Sequence, residues 1–208
     1  MNKYFRPIEL EINPGAWPYF YRRKSDPRFS SYFETVKNNY NNQCQFCGFK
    51  DKEFMEVVNL DGNYKNNKIS NMLLACPFCA QCLFIEMVGK TKQSGGILIY
   101  LPKLSQNDVN ALCHTLFCAI QNGTKYAEGA NDIYNSLRLQ GKVIENNYGE
   151  GLSNPAYMGQ MIIDSPLDQK EQFSKKILKD LRILPLMSRF TDCIDHWSKQ
   201  AINIDEKK

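Results

Sequence analysis

Two short cysteine motifs constrain what this chain can fold into more than any other feature. Cys44-Gln-Phe-Cys47 and Cys76-Pro-Phe-Cys79 each place two thiols on one tight turn, with 28 residues between the motifs. Two such turns can bring four soft sulfur ligands to about 2.3 Å from a single tetrahedral Zn²⁺. The interval is longer than the ~12–20 residues usual in simple zinc ribbons, so it must house a structural element of its own. Cys44, Cys47, Cys76 and Cys79 are therefore the expected ligands of a structural zinc ion. Cys82 follows Cys79 by three residues, which leaves Cys79/Cys82 as an alternative second pair. The Cys-Pro-Phe-Cys turn is preferred because it mirrors the first motif and follows the apolar Met72-Leu73-Leu74-Ala75. Ferredoxin-type spacings, which would point to an iron-sulfur cluster, are missing. No apolar run follows the opening Met-Asn-Lys-Tyr-Phe-Arg-Pro, so no secretory signal is expected. The cysteines are then expected in a reducing compartment, where spaced thiols bind metals before they form disulfides.

The 208 residues suit one domain, or one domain with an appendage, and 25 aromatic residues are available to fill an interior. The longest apolar stretch, Ile97 to Leu101, is far short of the ~18–20 residues a membrane-spanning helix requires, so no membrane span is expected. The net charge of +4 is divided as +3 over residues 1–43, +2 over 44–103 and −1 over 104–208. That balance is weak for a nucleic-acid binder, which depends on clustered Lys and Arg to neutralise phosphates. The one tight basic cluster is Arg22, Arg23 and Lys24 with Arg28 nearby, and it reads as a solvated turn ahead of a helix.

Four stretches follow from punctuation and periodicity. Residues 1–42 form an aromatic arm, extended through Asn13 to Tyr21, and a first helix that starts at Asp26-Pro27 and runs to about Asn39. Residues 43–82 hold the cysteine module. Residues 83–103 suggest a β-hairpin, in which Leu83–Val88 and Ile97–Leu101 are joined by the polar loop Gly89–Gly96. Residues 104–208 turn helical. Ser105 and Asp108 fit a capping box, and Val109, Leu112, Cys113, Leu116, Phe117 and Ile120 form one apolar stripe closed by Gly123. Further helices are expected from Thr124 to Gln140 with Gly141 as the stop, from Asn154-Pro155, from Gln169 to Ile183, and from Pro185 to Ala201. Cys113, Cys118 and Cys193 read as core residues. His114, placed on the polar side of its helix, and His196, beside Trp197, lack a ligand set and are not expected to act as catalytic bases.

The stretch Val57-Val58-Asn59-Leu60-Asp61-Gly62-Asn63, then Asn66-Asn67, Asn71-Met72 and Cys76-Pro-Phe-Cys79-Ala80, resembles the ββα-metal module of HNH endonucleases that carry a four-cysteine zinc knuckle. The resemblance covers about 37 residues, Cys44 to Ala80. In that family a strand ends in a histidine that takes a proton from the attacking water, and a histidine directly after the second C-x-x-C holds a divalent cation. Here those positions are Asn59 and Ala80. An amide is no base near neutral pH and a methyl binds no cation, so the resemblance implies an HNH-like scaffold without nuclease chemistry.

Over its whole length the chain is similar to a component family of Dot/Icm-type (type IVB) bacterial secretion systems, the IcmJ or DotN family. The similarity rests on length, the four-cysteine set, the Val-Val-Asn-Leu-Asp-Gly-Asn stretch and the helical C-terminal half taken together. It implies an α+β protein with no catalytic residues: a cytoplasmic adaptor, peripherally associated with the inner membrane. Its implied partner is the C-terminal extension of the coupling ATPase and, through that extension, other subunits and chaperones of the complex that receives effectors. Two other functions compete. One is a metal-dependent HNH-type nuclease whose base has moved to His114 or His196. The other is a non-cleaving nucleic-acid binder that uses Arg22 to Arg28.

Overall fold

Local signals set the starts of several helices in the structure, a computed structural model that describes residues 5–166 and 170–205. Helix α1 spans Trp17–Arg23 and α2 spans Pro27–Asn39. Asp26 caps α2 by accepting the Arg28 amide, and Pro27 supplies a first-turn residue whose missing N–H costs nothing there. The Asn13–Tyr21 segment, expected to be extended, instead turns at Asn13, whose carbonyl accepts the Ala16 and Trp17 amides, and continues as α1. Its prolines had suggested an arm, but Pro18 falls in the first turn, where proline is tolerated. Helical spacing brings Trp17 and Phe20 together onto Phe84, with ring centroids 5.3 and 4.9 Å away.

Strands β1 (Glu56–Asn59) and β2 (Met72–Ala75) pair antiparallel, with Val57 opposite Leu74 and Asn59 opposite Met72. Helix α3 (Pro77–Ala80) follows β2 directly. A second two-stranded sheet joins β3 (Gly96–Tyr100) to β4 (Leu181–Pro185), with Leu98 opposite Ile183. The remaining helices are α4 (Gln106–Gln121), α5 (Ala127–Leu139), α6 (Gly141–Tyr148), α7 (Pro155–Ile163), α8 (Lys170–Leu178) and α9 (Thr191–Asp205). The class is α+β, as the sequence implies. Ser105 and Asp108 form the expected capping box on α4, and Asn154 caps α7 by accepting the Ala156 amide.

Three expectations in this region fail for one reason: the partners lie far away in the chain. The 83–103 hairpin does not form. Residues Gln81–Leu83 and Ile85–Met87 are short 3₁₀ turns tied to the N-terminal arm by Glu11 N–H to Cys82 O and Ile85 N–H to Glu11 O, at 2.8 and 3.0 Å. The strand at 96–100 pairs with β4 instead. The helix expected to end at Ile183 stops at Leu178, so Leu181–Pro185 can form that strand, and the last helix begins at Thr191 rather than Pro185. Gln169, its expected start, lies outside the described residues. The helix expected to run to Gln140 does end there, at Leu139, and Gly141 at once opens α6. A Cβ on Gly141 would sit 3.3 Å from the Leu98 carbonyl, so the close approach of α6 to β3 favours glycine.

Leu74, Phe78, Leu98, Ile99, Phe117, Ile183 and Phe190 are fully buried and belong to one continuous apolar cluster that runs from the cysteine motifs into the helices. Each contributes about 1.5–3 kcal/mol through burial. Among the described residues, no helix is long and apolar enough to cross a membrane.

Candidate metal centre

The first cysteine motif is a closed backbone loop. Cys44 N–H bonds Phe49 O at 2.8 Å, Gly48 N–H returns to Cys44 O at 3.1 Å, and Gln45 N–H reaches across to Leu74 O in β2 at 2.8 Å. Gly48 has φ +78°, and a Cβ on it would strike the Phe5 ring at 2.7 Å, so only glycine closes this turn. The second motif starts where β2 ends. Cys76 is the N-cap residue of α3 and its carbonyl accepts the Cys79 and Ala80 amides at 3.0 and 2.9 Å. Its side chain makes no capping bond, which leaves the sulfur free to face the first motif.

The Sγ atoms of Cys44, Cys47, Cys76 and Cys79 all lie within 4.8 Å of one another, the single such cluster of His, Cys, Asp or Glu among the described residues. Four sulfurs at ~2.3 Å from a tetrahedral ion are ~3.8 Å apart. The Cys47–Cys76 pair, at 3.6 Å, is close to that value and far beyond a disulfide bond. The donor set therefore fits one tetrahedral, thiophilic cation. Its protons point the same way. Burial opposes ionisation of Cys44, yet hydrogen bonds from the neighbouring thiols hold it well below the usual thiol range. Burial, together with that neighbouring charge, pushes Cys76 and Cys79 well above it. One thiolate is tolerated without a cation, and four require one. Cys82 stands apart: its thiol donates to Phe78 O at 3.2 Å, and burial raises it to about 12.

His114 is not on a polar face. It is buried, with Nε2 3.3 Å from Cys76 Sγ, and its ring is nearly parallel to Phe49 at 3.7 Å and to Phe78 at 4.4 Å. Burial pushes it down to about 3, against the pull of Cys44 and Asp51, so the imidazole is neutral. Asn110, one turn earlier on α4, points its Nδ2 at Cys79 Sγ from 3.2 Å. Gln106, one turn earlier again, is also buried. The signal for this trio was present in the sequence as polar residues at i, i+4 and i+8 flanking an apolar stripe, but such a row ordinarily faces water. Here α9 and the β3–β4 sheet cover α4, so the row is enclosed. Cys113 and Cys193 are buried and Cys118 is half-buried.

Asn59 and Ala80, where the HNH resemblance leads one to look for histidines, are both engaged in structure. Asn59, at the end of β1, donates Nδ2 to Asn63 O and Asn66 O, both at 2.9 Å, and accepts from Arg23 Nη1 at 2.6 Å. Ala80 is a buried methyl, and the Gln81 carbonyl oxygen is committed to Gly95 N–H at 3.0 Å. Asp61 binds Asn66 and Asn71 side chains at 2.8 and 2.9 Å, and these bonds hold its carboxyl below the usual range. His196 lies 3.1 Å from the buried Asp51 and tethers α9 to the loop after the first motif. The basic cluster is largely spent as well. Arg23 is buried, with its guanidinium 4.7 and 4.6 Å from the Phe29 and Tyr64 ring centres, and burial lowers it to about 10. Lys24 pairs with Glu56, and Arg28 pairs with Asp26 at 2.8 Å.

No family model matches the chain. It is 44% identical over 195 residues, 94% of its own length and 91% of the relative's, to the Type 4 apparatus protein DotN of Legionella pneumophila subsp. pneumophila. The chain belongs to the DotN family. The DotN-type chain thus combines a four-sulfur cluster, a strand-end asparagine locked by three hydrogen bonds, and an α4 whose polar residues turn inward onto the sulfurs.

Proposed function

We propose that this DotN-family chain is a non-catalytic adaptor of a type IV secretion apparatus, stabilised by zinc on Cys44, Cys47, Cys76 and Cys79. Residues 43–82 act in it as an HNH-like ββα module emptied of its chemistry. The observation that carries this reading is the state of Asn59. At the position of a general base stands a carboxamide whose acceptor and both donor sites are consumed by Arg23, Asn63 and Asn66. The β1–β2–α3 order supports the module, and the methyl of Ala80 replaces the cation ligand. General base catalysis alone contributes ~10²–10⁴ in rate, and both groups are absent here.

Bound zinc would supply a cross-link between the two cysteine turns rather than a reactive centre, since all four positions of a tetrahedron are taken by sulfur. The name of the Legionella relative supports membership of the apparatus. Within the apparatus the chain sits on the cytoplasmic side, held peripherally at the inner membrane by the C-terminal extension of the coupling ATPase. Stretches 1–42, 43–82, 83–103 and 104–208 act as one body, because residues of all four share one buried core.

Three measurements test the proposal. Elemental analysis should find about one zinc per chain. Affinity-tagged protein drawn from its native cells should bring a coupling ATPase with it. A plasmid-nicking assay with Mg²⁺, Mn²⁺ or Ni²⁺ should give no cleavage. Metal-dependent cleavage lost in Asn59→Ala, or co-purifying DNA in place of the ATPase, would overturn the reading.

A further inference from the structure

The inner face of α4 carries three polar side chains that the adaptor reading does not use, and their hydrogen bonds have a defined direction. In β4, the Ile183 amide donates to Gln106 Oε1 at 2.8 Å, and Ile183 O accepts from Gln106 Nε2 at 2.9 Å. A backbone N–H can only donate, so the Gln106 carbonyl must face it, which fixes the amide orientation. The second proton of Gln106 Nε2 goes to Asn110 Oδ1 at 2.9 Å. Asn110 is oriented in turn, and its Nδ2 donor is left facing Cys79 Sγ at 3.2 Å. All three residues of this relay are buried, and Asn110 is fully so. One turn further along α4, His114 sets its Nε2 3.3 Å from Cys76 Sγ. Its ring lies against Phe49, just after the first motif, and Phe78, inside the second. Among the described residues its Nδ1 has no hydrogen-bond partner, and the ring's one polar contact there is to sulfur.

We infer that α4 is the outer shell of the four-cysteine centre: Asn110 and His114 donate N–H···S hydrogen bonds to Cys79 and Cys76, and Gln106 transmits the position of β4 to them. This rests on the proposal that the four sulfurs hold zinc. Four thiolates around a divalent cation carry a net charge of −2. A buried excess of that size requires donors, and a metal-bound thiolate can only accept. His114 must then be the Nε2–H tautomer. A consequence is that metal retention depends on a helix outside the cysteine module, seated by a strand still further along the chain. Gln106, Asn110 and His114 are positioning residues; none of them ligates the metal.

The experiment uses the full-length protein as purified. Zinc content and the rate of zinc transfer to a chromogenic chelator are measured for wild type, His114→Phe and Asn110→Leu. The same proteins are loaded with Co²⁺ and their sulfur-to-cobalt charge-transfer bands recorded. Both variants should hold about one zinc but release it about 10- to 100-fold faster, the usual range for losing an outer-shell partner. Their bands should move to lower energy at unchanged intensity, because sulfur deprived of a hydrogen bond gives up charge more readily. Wild-type release rates and band positions in stoichiometrically loaded variants would overturn the inference and leave the zinc reading standing. A fall in band intensity in His114→Phe, the mark of a lost ligand, would also overturn it. Wild type with no zinc would sink the zinc reading and this one with it. Should either variant not fold, nitrogen NMR of the wild-type protein decides: a proton on His114 Nε2, with scalar coupling to ¹¹³Cd in the cadmium-loaded form, is expected. A proton on Nδ1 alone refutes the assignment.

Discussion

The two strand pairs of this chain are built by different means. β1 and β2 are joined by residues 60–71, and that loop holds itself together: Asp61 gathers Asn63, Asn66 and Asn71, while Asn59 ties back to Asn63 and Asn66. The pair continues directly into Cys76, so its closure and the convergence of the sulfurs are one event. β3 and β4 are separated in sequence by α4 to α8, so no single connecting loop brings them together. Their meeting depends on α4 beneath them, where Gln106 satisfies both the N–H and the C=O of Ile183. The first pair is a local structure that a metal can lock. The second is a product of packing between segments far apart in the chain.

That contrast can be broken most severely at the cysteines. Cys76→Ser should leave insoluble or protease-sensitive protein, because apparent zinc affinities of ~10–16 kcal/mol in small zinc modules match or exceed a domain's whole stability. Zinc content and trypsin sensitivity check this, and a soluble Cys76→Ser chain that resists protease would show that the β1–β2 pair stands without the metal. Next is Gln106→Leu, which strips two backbone groups of Ile183 of their partners inside the core. It should cost about 2–6 kcal/mol in urea unfolding at ~1–3 kcal/mol per buried orphan, with cleavage appearing first around β4. If the cost is instead below ~0.5 kcal/mol, β4 is held by its apolar side chains alone.

A third test uses Glu86, which lies in the segment that failed to become the first strand of a hairpin. Burial raises its carboxyl to about 7, with one oxygen accepting from Asn13 N–H at 3.1 Å and the other unpartnered. A raised carboxyl binds its proton more tightly folded than unfolded. Stability therefore falls as pH rises from the ordinary glutamate range through about 7, and is flat beyond, with a slope of at most about 1.4 kcal/mol per pH unit. Glu86→Gln should flatten this stretch of the stability curve, as read from urea midpoints at several pH values. An unchanged curve would mean that water or a cation reaches the carboxylate. The smallest effect belongs to Ser105→Ala, which removes one half of the α4 capping box and should cost about 1 kcal/mol. A cost spread evenly over helix and cysteine module, seen by hydrogen exchange, would tie α4 to the metal centre more closely than the β3–β4 pair does.

The cysteine turns, the caps at Asp26, Ser105 and Asn154, and the amide and methyl at positions 59 and 80 could be read from the sequence because each is a pattern spanning a few residues. Other features left no such mark. Leu181–Pro185 has no strand character apart from the edge of β3, and His114 looked solvated because nothing near it in the chain announces α9 or the sheet above α4. The aromatic arm departs from expectation for the opposite reason. Its prolines are a strong local signal for extension, and the packing of Trp17, edge-on, and Phe20, stacked, on Phe84 outweighs it.

By itself, the sequence determined which four sulfurs could share an ion, where α2, α4 and α7 start, and that positions 59 and 80 carry an amide and a methyl rather than imidazoles. The tertiary structure alone decided that Arg23 locks that asparagine, that β3 finds β4, and that α4 turns its amides and imidazole toward sulfur. The physical reason is distance along the chain. Turns and caps are satisfied by neighbours within a few residues, whereas a buried donor takes whatever acceptor the folded core brings to it, and that acceptor leaves no trace in the residues alongside.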